Sequence, residues 1–206
     1  MPSLRSLVLG GLLSALVLIG WPVPSPLAPR SASASTLVQL SLGDIVRLAT
    51  AVVAGTPLDS LSVWEDTDTA RGQRIVTYTR VRVDQLFDGT AAREIWVRTL
   101  GGVIGDIGQR VDGEAILVRG QPGLFFLRQL AAGPLGVVGM SQGHLRLEGV
   151  AVTPTARVLR LPSFARMVER PGVAGGDTSV GLQALHGQTL EQATRLIRAA
   201  RQGHAL

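Results

Sequence analysis

The chain has 206 residues, 46% of them hydrophobic, with 20 basic side chains against 15 acidic ones and no cysteine. That apolar content suffices for one core of ordinary domain size. The missing cysteines exclude disulfides, thiol catalysis, Cys-ligated zinc, iron–sulfur clusters and a lipid-bearing cysteine after a leader. Every basic residue is an arginine, which accounts for the pI of 11.3. The arginines are scattered and aromatic residues make up only 4% of the chain, unlike the clustered basic face with interleaved aromatics that a nucleic acid requires.

Residues 1–34 read as an export signal. Arg5 supplies a positive start, Leu7 to Ile19 form an apolar run interrupted by Gly10, Gly11 and Ser14, and Ala32-Ser33-Ala34 has the small-x-small form of a cleavage site. The run is shorter than the roughly 20 residues of a spanning helix, and Pro22, Pro24 and Pro26 follow it. The expectation is a cleaved signal peptide and a periplasmic or secreted product with no membrane span. The alternative is a leader retained as an anchor.

A β-rich domain is expected over residues 35–148, opened by a short helix. Ser41 caps that helix with Asp44 three residues on, and Leu42, Ile45, Val46 and Ala49 share one face. Ala51 to Ala54 is a short apolar strand closed by Gly55 and Pro57, and Leu61 to Trp64 can extend it. From Arg74 to Leu86, Ile75, Thr77, Thr79, Val81 and Val83 alternate with polar partners; Asp88-Gly89 turns the chain; Ile95, Val97 and Thr99 then alternate with Glu94, Trp96 and Arg98. A glycine-rich stretch, 101–108, interrupts the pattern. Further strands are expected at Ala115 to Val118, Leu124 to Leu130, Gly136 to Met140 and His144 to Leu147.

Residues 149–170 offer extra strands of the same domain, with a pair turning at Pro154-Thr155 and a helical turn capped by Ser163 through Val168. Residues 171–188 read as a linker. Thr189 and Gln192 form a capping box for a C-terminal helix over 189–202, striped by Leu190, Ala193, Leu196, Ile197 and Ala200. That helix packs on the sheet, on a partner, or hangs loose. Short strands without intervening helices predict a mainly β fold, a small antiparallel OB-like barrel or a sandwich.

Gly139-Met140-Ser141-Gln142-Gly143 matches the G-x-S-x-G nucleophile elbow, with Asp177 and His186 following in the order of an α/β-hydrolase. An elbow needs a strand that turns into a helix, however, and here His144 to Leu147 resumes a strand. The 101–108 glycines lack the Gly-Lys-Ser/Thr of a phosphate loop, so they read as positive-φ or close-crossing positions. Asp106, Asp112 and Glu114 lie close enough in sequence to offer a carboxylate pair, and Glu65 to Asp68 an acidic turn without EF-hand spacing. His144, His186 and His204 show no metal-binding spacing, so no metal and no cofactor is expected. Trp64 and Trp96 could stack a glycan if they shared a sheet face.

Three segments, Leu42 to Gly55, Ile75 to Gly102, and Gly101 through Gly113 and Phe125-Phe126-Leu127 to Val138 and Gly143, together resemble a family of uncharacterised exported bacterial proteins seen among myxobacteria. The third includes the run Gly102-x-x-Gly105-x-x-Gly108-Gln109. The resemblance implies a β-rich domain that begins with a helix, and it carries no activity with it. The functional expectation is an exported non-enzymatic domain binding a protein or an envelope component beside Trp96 and Asp106. The alternative is a small secreted serine hydrolase using Ser141, His186 and Asp177.

Overall fold

The computed structural model describes residues 36–67, 72–131, 133–160, 166–168 and 182–203, all of them in the unit Ala34–Leu206. The expected signal peptide lies outside these residues. The chain is mainly β. Its elements are β1 (Thr36–Val38), α1 (Leu42–Leu48), β2 (Ala51–Asp66), β3 (Gln73–Gly89), β4 (Glu94–Leu100), β5 (Gly102–Ile104), β6 (Ile107–Gln109), β7 (Gly123–Gln129), β8 (Leu135–Val137), β9 (His144–Leu147), β10 (Val158–Arg160), β11 (Arg166–Val168) and α2 (Leu190–Arg201). Both helices start as their sequences predict. The Ser41 and Thr189 side chains accept the amides of Asp44 and Gln192, whose side chains reach back to the cap amides.

Strand β2 pairs antiparallel with β3 and β7, β3 with β4, and β8 with both β4 and β7. The pairings therefore run β2-β3-β4-β8-β7 and return to β2 as a closed cycle. The β4–β8 pair is parallel, so the set is not wholly antiparallel. From β7 the sheet also extends outward through β9 and β10, while β5 and β6 form a separate hairpin.

Closure gives two of the strands two buried faces. On one side Ala51, Val53, Phe125 and Leu127 join Val81, Ile95, Val97 and Val137 in one core cluster. On the other, Val52, Ala54, Leu124 and Phe126 meet α1, α2 and the strands β9 and β10 in a second. This is why Ala51–Ala54 and Leu124–Leu127 read as unbroken apolar runs rather than alternating ones. The stripe Leu190, Ala193 and Ile197 is buried in that second cluster, so the C-terminal helix packs on its own domain. Arg201 adds a hydrogen bond to the Ala49 carbonyl and an ion pair with Asp88.

Several expectations are corrected. Strand β2 does not close at Gly55 and Pro57 but runs 16 residues. Strand β7 ends opposite Gly55, so beyond it β2 pairs with β3 alone; the Pro57 carbonyl points away from β3 to accept the Gly120 amide at 2.8 Å, and the missing Pro57 N–H falls on the same free edge. Ala115 to Val118 keep their alternation, Ala115 buried and Ile116 exposed, yet the segment has no ladder partner and is not a strand. The Val150 to Leu161 pair reduces to β10, which pairs with β9, while the Pro154 turn docks onto the start of α2 through the Glu191 amide. Arg166–Val168 is not helical: it is a strand lying parallel to β1. The last part of the expected linker is packed, because Leu182–Leu185 make a 3₁₀ turn that buries both leucines.

Candidate functional site

The interior of the strand cycle is packed with apolar side chains, Phe125 among them, around Val81, Ile95 and Val97. Beyond these the inward positions of β3 and β4 are threonines, with Thr77 opposite Thr99 and Ser62 opposite Thr77, before β3 returns to buried Ile75. At the threonines the wall of strands and the segment from Gln109 to Gln121 border a cavity of about 530 Å³ that is open to solvent. Its volume lies within the roughly 300–1,000 Å³ of small-molecule sites.

Glycine 102 seats the β5–β6 hairpin over this wall. Its φ is 142°, and an added Cβ would collide with Thr77 Oγ1 and Ser62 Oγ, which already share a 2.9 Å hydrogen bond. Thr77 Oγ1 also donates to the Gly101 carbonyl at 2.6 Å. Gln109 fastens the hairpin's return strand by accepting the Ile75 amide at 2.6 Å. The glycine-rich stretch is thus a close-crossing device, as its composition suggested.

Of the carboxylates singled out in the sequence, two have structural partners: Glu114 accepts the amides of Leu100 and Ala115 at 3.1 and 2.9 Å, and Asp112 faces the Arg110 guanidinium at 3.6 Å. Asp106 sits exposed at the β5–β6 turn. Among the described residues no three metal-ligating side chains come together.

The far wall holds Ser141 and His144. Gly139 (φ 63°) and Met140 (φ 60°) turn the chain out of β8 into the 3₁₀ turn Met140–Gly143, and β9 follows at once. The pentapeptide is therefore not a strand-to-helix elbow. Its architecture serves packing: the Gln142 amide accepts from the Leu40 N–H at 2.9 Å and donates to the Val38 carbonyl at 3.1 Å, and an added Cβ at Gly143 would collide with the Val138 carbonyl oxygen. The Ser141 N–H donates to the Gly113 carbonyl at 2.8 Å, tying this turn to the opposite wall.

His144 is 7% exposed, its ring stacks on Phe125 with centroids 4.7 Å apart, and its Nδ1 has no hydrogen-bond partner. Burial lowers its pKa to about 4, so the ring is neutral at pH 7. His186 is elsewhere, accepting the Arg160 amide at its Nδ1, and Asp177 lies outside the described residues. The histidine that shares this cavity with Ser141 is thus His144 and not the expected His186.

Trp64 and Trp96 do not share a face. Trp64 is registered with Ile75 and Trp96 with Arg80, positions of opposite parity on β3. Trp96 is half-exposed over a groove with Tyr78, Ile95, Pro134 and Leu135, and Asp106 lines neither that groove nor the cavity. On Trp96's face the Glu65 carboxylate accepts from the Tyr78 hydroxyl at 2.5 Å and pairs with Arg98. The Arg98 guanidinium holds the Glu65 carboxyl below its usual range, and Glu65 in turn raises the Tyr78 hydroxyl above 10.0. No helix among the described residues is long and apolar enough to cross a membrane. No protein-family model matches the chain, and no curated protein is significantly similar to it.

Proposed function

We propose that this chain is an exported, non-enzymatic binding domain that captures an envelope component, with the cavity beneath the β5–β6 hairpin as its site. The strand cycle β2-β3-β4-β8-β7, with its one parallel pair, supports reading the domain as an OB-like barrel. The observation that carries the binding reading is the cavity of about 530 Å³ that ends on a buried imidazole. Export rests on the leader-like residues 1–34, and the myxobacterial resemblance fits the same compartment.

The test is crosslinking of residues 35–206 in native envelope, compared with a variant carrying Val103→Arg and Ile116→Arg at the cavity mouth. Both positions are solvent-exposed, so the fold survives the change. Loss of the crosslinked species in the variant supports the reading; an unchanged pattern refutes it.

One observation favours a second reading: Ser141 and His144 line the same cavity, which suits a small secreted serine hydrolase. Against it stand the missing elbow and the unpartnered Nδ1, which a third group would have to orient. Labelling of Ser141 by a fluorophosphonate would establish that reading, and no labelling of the folded chain would remove it.

A further inference from the structure

Strand β2 leaves one edge open. Strand β7 covers it from Ala51 to Gly55, and no described strand lies against the stretch from Asp59 to Asp66, which keeps an unbroken register with β3. The direction of its backbone groups follows from Ile75. The Ile75 N–H donates to the Gln109 side chain and its carbonyl accepts the Gly101 amide, so both groups turn away from β2. Trp64, opposite Ile75, therefore sits in a non-hydrogen-bonded pair and points its own N–H and C=O outward. By alternation Ser60, Ser62 and Asp66 do the same.

Such a row of outward backbone groups is a template for another strand. The usual devices that blunt an edge are missing: from Asp59 to Asp66 there is no proline, no lysine and no bulge. The carboxylates of Asp59 and Glu65 are tied back to Arg80 and Arg98 on the neighbouring strands. Leu61 and Trp64 stand 63% and 42% exposed on the open edge.

The edge is complementary to a second copy of itself. When two copies run antiparallel with Val63 facing Val63 on a two-fold axis, outward-pointing residues meet each other. Ser62 faces Trp64 and Ser60 faces Asp66, each pair exchanging two backbone hydrogen bonds. On the opposite face Leu61 lies across from Glu65 and Asp59 across from Thr67, so no like charges are opposed. Moving the axis to Ser62 would set Asp59 against Glu65, and moving it to Trp64 would carry Ser60 past the end of β2.

We propose that this chain forms a two-fold dimer through the open edge of β2, with Val63 on the axis.

The test is sedimentation velocity of residues 35–206 from about 1 to about 100 μM, joined to disulfide trapping, which the cysteine-free chain makes unambiguous. A concentration-dependent dimer is expected. Leu61→Glu, which opposes Glu65 once at each end of the pairing, is expected to weaken it by about tenfold, and Leu61→Arg, which places opposite charges there, to retain it. Under mild oxidation Val63→Cys is expected to crosslink, because facing Cα atoms of a non-hydrogen-bonded pair are about 4.5 Å apart, and Leu61→Cys, whose twin lies beyond disulfide reach, is not. A chain that stays monomeric across that range, whether its edge is empty or taken by a strand of another protein, overturns the proposal. So does folded Leu61→Glu that dimerises unchanged, or Leu61→Cys that crosslinks as readily as Val63→Cys. Should Val63→Cys fail to fold, the mass of the unmodified chain and the two charge variants at Leu61 still decide.

Discussion

His144 couples this fold to pH, and the size of the coupling can be worked out. The unfolded chain titrates this imidazole near 6.5, whereas the folded chain, desolvating it against Phe125, does so near 4. Between those values the unfolded state binds a proton that the folded state does not, so the stabilisation is complete above about pH 6.5 and is lost as pH falls towards 4. The linkage relation gives a loss of about 0.8 kcal/mol at pH 6, about 2 kcal/mol at pH 5 and about 3 kcal/mol at pH 4. His144→Phe removes the titration and keeps a ring on Phe125. The assay is urea unfolding of both proteins at pH 7.5, 6 and 5, a window above the ordinary carboxylate range. The stability of the unmodified chain relative to the variant is expected to fall by about 2 kcal/mol from pH 7.5 to pH 5. A difference constant to within about 0.5 kcal/mol would refute the reasoning, because the ring would then be solvated or paired in the folded state.

Three other measurements probe the frame around the cavity. Gln142→Ala deprives the Leu40 N–H and the Val38 carbonyl of their partner, and a loss of about 2–3 kcal/mol is expected, with faster amide exchange at Leu40; unchanged exchange would count against the clamp. Ile197→Ala opens a hole where α2 meets the second core cluster and should cost about 2–5 kcal/mol in denaturant unfolding, while a cost under about 0.5 kcal/mol would mean the helix is not docked. Tyr78 is the chain's single tyrosine, so ultraviolet titration reads it directly. Its midpoint is expected above 10, and Glu65→Gln should bring it down; a midpoint at or below 10 in the unmodified chain would contradict the Glu65 hydrogen bond.

What was legible in the sequence was local. The alternation in β3 and β4 assigns Ile75, Thr77, Thr79, Val81, Val83, Ile95, Val97 and Thr99 to one face; six of the eight are buried, and Thr77 and Val83 are half-buried. Both capping boxes mark the starts of their helices to the residue. The errors arose where a residue's meaning depends on a distant partner. Pro57 looks like a stop until β7 is seen to end opposite Gly55. Ala115 to Val118 look like a strand because alternation records burial, whereas a strand also needs a neighbour. The candidate site was less visible still. Ser141 drew notice through a serine-hydrolase motif, yet the most telling side chain beside it is Gln142, whose partners lie about a hundred residues earlier. His144 becomes informative only when β7 and β9 bring it onto Phe125. One signal was available: on the inward face of β3 and β4, Thr77, Thr79 and Thr99 interrupt the valines and isoleucines, where a fully packed interior would have stayed apolar.

The contact between α1 and α2, sealed by Arg201 on the Ala49 carbonyl, makes the earliest and latest helices of the domain neighbours. A ribosome releases these two pieces about 150 residues apart, so a growing chain leaves the second core cluster open until α2 has emerged. Under the export proposed above, such late completion would keep the polypeptide pliable for passage through a translocase and defer locking to the far side.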